Sequence, residues 1–165
     1  MVTSLLAIVL GAVLTLGETS QRIAPRESER AQVIREAQVG LHRMTRELRH
    51  AYDADPDPAV VSLSVTPSTV VADVIAPSGP RADVSYDCNQ PHPTNPDYTR
   101  CLRYVNGTGG EVIVDRVLNG DAVFTFTSPD YVRVEIEVAA AGDLKNGYAH
   151  PILLEDGFYM RNLNG

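Results

Sequence analysis

The chain has 165 residues, 44% of them apolar and 21% charged, which is enough apolar material for one folded core and too much for a disordered polymer. A net charge of −7 argues against nucleic-acid binding by phosphate neutralisation, and 6% aromatic content without Trp argues against a base-stacking platform. The charge is uneven: from Glu18 to Tyr52 seven arginines stand against five glutamates, a net +2, so the remainder carries −9, mostly as Asp. A basic segment directly behind an apolar one suits a membrane surface or an acidic partner, or equally a solvated helix face.

The first element is Val2–Leu16 (VTSLLAIVLGAVLTL), fifteen residues without a charge. As a helix it covers about 22 Å, against a hydrocarbon core of about 30 Å. It is short for a span and too apolar for a surface helix. A cleaved signal peptide fits poorly, because no Lys or Arg precedes the run and Leu14-Thr15-Leu16-Gly17 is a poor cleavage site. A buried core helix has no obvious neighbours to cover it. The expectation is that Met1 is an internal methionine and that about six to ten further apolar residues upstream complete a span. Residues 1–24 then form an apolar membrane helix, with Leu5, Leu6, Ile8, Val9, Leu10, Val13 and Leu14 as its greasy faces.

Residues 25–52 read as the amphipathic half of the same helix. From Ser28 to Tyr52 the apolar residues fall at Ile34, Ala37, Leu41, Met44, Leu48 and Ala51, alternating steps of three and four. Val33 and Tyr52 widen this stripe. Ile34, Leu41, Met44 and Leu48 are the expected contacts to a sheet. Pro25 either starts a new helix or kinks a continuous one, and Gly11, Gly17 and Gly40 are further weak points. One kinked helix from the start to Tyr52 would measure about 78 Å. A globule of this size has a radius of gyration near about 15 Å, so such a helix must protrude.

Residues 53–165 read as an antiparallel β domain. Asp53-Ala-Asp-Pro-Asp-Pro58 stops the helix; Asp53, Asp55 and Asp57 mimic a calcium loop, but Pro58 stands where that loop needs Gly and Ser64 where it needs Glu. The period then changes to two. Val60–Val65, Val70–Ala76, Ala82–Cys88, Cys101–Val105, Glu111–Leu118, Val123–Thr127 and Tyr131–Ala139 read as strands, and Ile152–Leu163 holds one or two more. Turn signals separate them at 77–80, 106–110, 119–121, 128–130 and 142–147. The fold class is α+β, a long N-terminal helix packed on an antiparallel sheet.

Cys88 and Cys101 are the two cysteines, and their short, turn-rich surroundings suit a disulfide in an oxidising compartment, with free thiols as the alternative. The loop between them, Asn89–Arg100, holds three prolines and is expected to lack regular structure. Closed by a bridge, it is either a plain staple or a rigid knob for contact.

No catalytic motif stands out: the chain has no nucleophile elbow, Walker loop, H-E-x-x-H or paired C-x-x-C. His42, His50, His92 and His150 lack metal-ligand spacing and read as solvated or interfacial. Asn106-Gly-Thr108 fits a glycosylation sequon but reads better as a hairpin turn. Gly107, Gly109 and Gly110 open no helix and form no phosphate cradle. No enzyme activity, cofactor or metal is expected.

In architecture the chain resembles the type IV pilin and type II secretion pseudopilin superfamily. The resemblance rests on Glu18-Thr-Ser-Gln21, on Arg35-Glu-Ala-Gln-Val-Gly-Leu-His-Arg-Met-Thr-Arg-Glu-Leu-Arg49 and on the ending Gly157-Phe-Tyr-Met-Arg-Asn-Leu163. It is nearest to W-type minor pilins and J-type pseudopilins. The family's basic leader ending in Gly, its following Phe-Thr-Leu and its glutamate within the apolar helix are not among these residues, so no processing or methylation site is assigned. The resemblance implies a single-pass protein of the inner membrane with its β domain outside the cytoplasm. It implies filament assembly, with other pilin or pseudopilin subunits, prepilin peptidase and the assembly platform as partners. The competing expectations are a membrane-tethered extracellular binding module, using the cysteine loop, and, more weakly, a secreted enzyme.

Overall fold

The computed structural model describes residues 27–50, 63–75, 81–128, 131–139 and 151–159. The expected membrane helix with its leucines from Leu5 to Leu14, the Pro25 kink, the Asp53–Pro58 stop and any strand beyond Tyr159 lie outside the described residues.

The helix, α1, is described over 27–48. Arg46 sits in its last described turn, opposite in sign to the nearby helix-dipole end. Among the described residues eight strands follow: β1 Leu63–Val65, β2 Thr69–Ile75, β3 Arg81–Pro91, β4 Thr99–Val105, β5 Thr108–Val117, β6 Phe124–Ser128, β7 Tyr131–Val138 and β8 Ile152–Tyr159. They make two antiparallel sheets, one in the order β1-β2-β3-β4-β5 and one in the order β6-β7-β8. Every neighbour in a sheet is the next strand in sequence, so neither sheet contains a crossover.

The joint between the sheets is made by backbone. Leu118 N donates to Glu137 O at 2.8 Å, and Phe124 N donates to Pro67 O at 2.8 Å. Asn119 stitches the same joint, its amide nitrogen donating to Glu135 O (2.9 Å) and its carbonyl accepting from Glu137 N (2.8 Å).

One apolar core runs through all three layers. The helix gives Val33, Ala37, Leu41, Met44 and Leu48; the first sheet gives Val70, Val84, Tyr86 and Val117 among others; the second gives Val132, Val134, Ile136, Val138 and Phe158. The alternation expected along Val132/Val134/Ile136/Val138 is complete, every second residue of β7 being buried. Fully burying a side chain such as Leu48 contributes about 2 kcal/mol.

Three local features differ from expectation for identifiable reasons. Ile34 is partly exposed, and Val33 is buried in its place. Gly40 explains this: a Cβ there would lie 2.5 Å from Ile113 O and 2.7 Å from Val114 Cγ2, so the helix backbone rests directly on β5. Val33 lies on the same side of the helix as Gly40, at 100° per residue, and Ile34 lies farther round. Second, β3 continues through Pro91 into the cysteine loop, and β4 begins at Thr99. Pro91 is tolerated because it closes the strand, where proline's missing N–H is least costly. Third, the β4–β5 turn is only Asn106-Gly107, at φ 51° and 70°, as in a two-residue hairpin. Gly109 and Gly110 belong to β5, at positive φ, beside a register shift between Arg103 and Tyr104.

Candidate functional site

The chemistry of the described residues concentrates where α1 crosses the two sheets. Glu47 is one face away from the apolar stripe, so its carboxylate is held at the rim of the core. Arg103 of β4 meets it side-on, Nε to Oε2 at 2.7 Å and Nη2 to Oε1 at 2.5 Å. The Tyr86 hydroxyl of β3 donates to the same Oε2. Tyr86 and Arg103 are directly opposite each other in the β3–β4 register, which is why one carboxylate reaches both. Farther along, Arg43 forks onto Glu111 of β5 at 2.5 and 2.7 Å. On the N-terminal side of Arg43, Arg116 donates to Glu29 at 2.7 Å.

Burial pushes the Glu47 carboxyl up, but the hydrogen bonds from Arg103 and Tyr86 outweigh it and hold the carboxyl below its ordinary range. Burial, and then the bond to Glu47, drives the Tyr86 phenol well above its ordinary value. The bond to Glu47 raises Arg103. Each shift favours the protonation state that keeps the trio together: anionic Glu47, neutral Tyr86, cationic Arg103. This is the pattern of a structural clamp, since no group is poised to exchange a proton near neutrality.

The opposite flank of α1 is tied to β8. Thr45 Oγ1 donates to Asp156 Oδ2 at 2.8 Å, and Arg49 Nη2 donates to Gly157 O at 3.2 Å. Asp156 Oδ1 also accepts from Gly157 N at 2.8 Å. Side chains thus cover both backbone groups of Gly157 on an edge strand, a position that would otherwise invite a foreign strand. A cleft of about 650 Å³ opens beside this contact, lined by Arg49, Tyr131, Glu155, Asp156, Gly157 and Tyr159. The Tyr131 and Tyr159 rings meet there at 4.7 Å.

The third feature is the cysteine loop. Cys88 and Cys101 form a disulfide, and both are fully buried in the core. His92 organises the loop from inside. Its Nδ1 accepts from the backbone N–H of Thr94 (3.3 Å) and of Asn95 (3.2 Å). That pattern places the ring proton on Nε2, which donates to Asp115 Oδ2 at 3.3 Å. Tyr98 is 2% exposed, and its hydroxyl donates to Ala139 O at 3.4 Å, pinning the loop to the second sheet. Pro91, Pro93, Thr94, Pro96 and Asp97 are left facing solvent. At the loop's end Arg100 Nε is buried without a partner among the described residues.

No family model, curated protein or solved structure matches the chain. Of the residues expected to pack on the sheet, Leu41, Met44 and Leu48 lie in the core and Ile34 at its margin. Of the histidines, His42 and His50 are exposed, whereas the His92 side chain is 11% exposed and internally bonded, which the histidine spacing alone did not reveal. Sequence reasoning also missed Glu47, Tyr86 and Arg103. Each reads locally as an ordinary polar or aromatic position, and only the β3–β4 register brings them to one point. No group of His, Cys, Asp and Glu among the described residues could hold a metal ion, and no described helix is long and apolar enough to cross a membrane.

Proposed function

We propose that this chain is a non-enzymatic minor pilin or pseudopilin subunit that contributes to the assembly or the tip of a type IV pilus or a type II secretion pseudopilus. One observation carries the reading: α1 is clamped by one face to a two-sheet, disulfide-closed domain, and the sequence ahead of it runs into the uncharged apolar stretch Val2–Leu16. In this reading α1 is a handle on a β domain, and the apolar stretch ahead of it requires lipid or sibling helices as cover. The mechanism is physical. The apolar segment waits in the inner membrane, then exchanges lipid contacts for helix contacts in a filament, while the β domain faces outward.

A second reading has its own support. The cysteine loop presents Pro93, Thr94, Pro96 and Asp97 on a frame held by the disulfide, His92 and Tyr98. A membrane-tethered extracellular binding module would use such a rigid knob for recognition.

The test places a photo-crosslinking side chain at Leu10 of the full chain, in cells that carry a pilus or secretion assembly. Adducts with pilin or pseudopilin subunits are the expected result. Adducts with lipid alone move the assignment to the tethered module. Recovery of the chain from the soluble fraction overturns both.

A further inference from the structure

Two surface patches of opposite sign remain once the clamp contacts are assigned. The first is the solvent-facing ridge of α1. At 100° per residue, Arg35, Val39, His42 and Arg46 fall on one line opposite the buried stripe. All four are exposed, Val39 at 69%. No carboxylate of α1 lies on the line; Glu36 is on the flank, where Gln32 donates to it at 2.8 Å, and His42 Nδ1 stands 3.7 Å from Asp156 Oδ2 of β8, so Arg35 and Arg46 are the ridge's two cations. Arg46 has no partner among the described residues.

The second patch is the outer face of the three-stranded sheet. The residues of β7 and β8 that alternate with the core present Glu135, Glu137 and Glu155 around a single guanidinium, Arg133. Arg133 is held by Glu155 at 2.8 Å and by Glu135 at 2.9 Å, and the Glu137 carboxylate has no partner among the described residues. Leu153, directly across from Glu137, is 51% exposed.

We propose that the α1 ridge of one copy docks on the outer β7–β8 face of a second copy. The patches are complementary in charge, and each surrounds one exposed aliphatic side chain, Val39 or Leu153. Their lengths are similar: eleven steps of helix from Arg35 to Arg46 rise about 16 Å, and six steps of strand from Leu153 to Tyr159 cover about 20 Å. An anionic lipid surface would match the ridge but leaves the acidic face without a role. Because Thr45 ties α1 to Asp156, which shares the inner face of this sheet with Val134, the ridge and the acidic face look in different directions. The contact is therefore head-to-tail and repeats from copy to copy. It uses no residue of Val2–Leu16, so it stands or falls apart from the membrane and filament reading.

The test uses the full chain in detergent micelles, as an equal mixture of ¹⁴N and ¹⁵N copies, with a photo-crosslinking phenylalanine analogue in place of Val39. The expected product joins position 39 to a peptide within 131–139 or 151–159 of the other isotope. Arg46→Glu lowers its yield at least tenfold, and mixing that variant with Glu137→Arg copies restores it. Arg46 is exposed and Glu137 partly exposed, and neither side chain has a partner among the described residues, so the fold tolerates the changes. Same-isotope or detergent adducts alone overturn the proposal. So does an Arg46→Glu yield equal to that of the parent, or a mixture that fails to recover.

Discussion

Arg103 of β4 and Glu47 of α1 form a bidentate ion pair across 56 residues of sequence, at the rim of the core and with Tyr86 as a third member. The pair is shielded on both sides, the Arg103 side chain being 17% exposed and that of Glu47 24%. Removing one partner strands the other. Arg103→Met leaves Glu47 half-buried with only the tyrosine bond, a loss of about 2–4 kcal/mol by comparison with other broken buried pairs. Urea unfolding of the variant checks it. The double variant Arg103→Met with Glu47→Leu should recover most of the loss, because no uncompensated charge remains.

The same trio sets the pH limits of the fold. Glu47 has a folded pKa below its unfolded one, so its contribution is present above the ordinary glutamate range, about 4.3, and is lost as pH falls through the folded value. Glu111 and Glu155, lowered by Arg43 and Arg133, act in the same direction but in solvent, where the effect is screened. Tyr86 is raised, so its contribution is whole below about pH 10, where an unfolded tyrosine ionises, and declines above it. Thermal melts should therefore show a plateau flanked by an acid and an alkaline fall. Glu47→Gln should flatten the acid limb and Tyr86→Phe the alkaline one.

Gly40→Ala tests the close approach of α1 to β5. Helix propensity alone favours Ala over Gly by about 1 kcal/mol. The added methyl would meet Ile113 O at 2.5 Å and Val114 Cγ2 at 2.7 Å, and the carbonyl cannot retreat without disturbing β5. The expected net effect is a destabilisation of about 1–3 kcal/mol, opposite in sign to the propensity. Ser28→Ala, at an exposed position of the same helix, provides the control.

Paired replacement of Cys88 and Cys101 by Ala removes a cross-link over a sequence separation of 13. The loss should be about 3 kcal/mol, mostly through a freer unfolded chain. Hydrogen exchange should locate the loosening at His92–Tyr98, with the His92 turn and the Tyr98–Ala139 contact as the first protections lost. Protection that falls evenly over both sheets would contradict this placement.

Much of the molecule could be read from local pattern. An amphipathic helix within 25–52, the period-two strands and a turn beginning at Asn106 follow from hydrophobic spacing and turn chemistry, because these depend on residues a few positions apart. The division into two sheets, the burial of Val33 in place of Ile34, and the meeting of Glu47, Tyr86 and Arg103 were not legible. They depend on which strand edges join and on how closely a glycine lets two backbones approach, distances set across dozens of residues. The sequence by itself determined that one amphipathic helix meets an alternating β domain with a cysteine pair at its centre. The tertiary structure decided which face of that helix is buried, which charges lock it down, and which are left over on the surface. The physical reason is that periodicity encodes faces, whereas register and close contact are properties of pairs far apart in the chain.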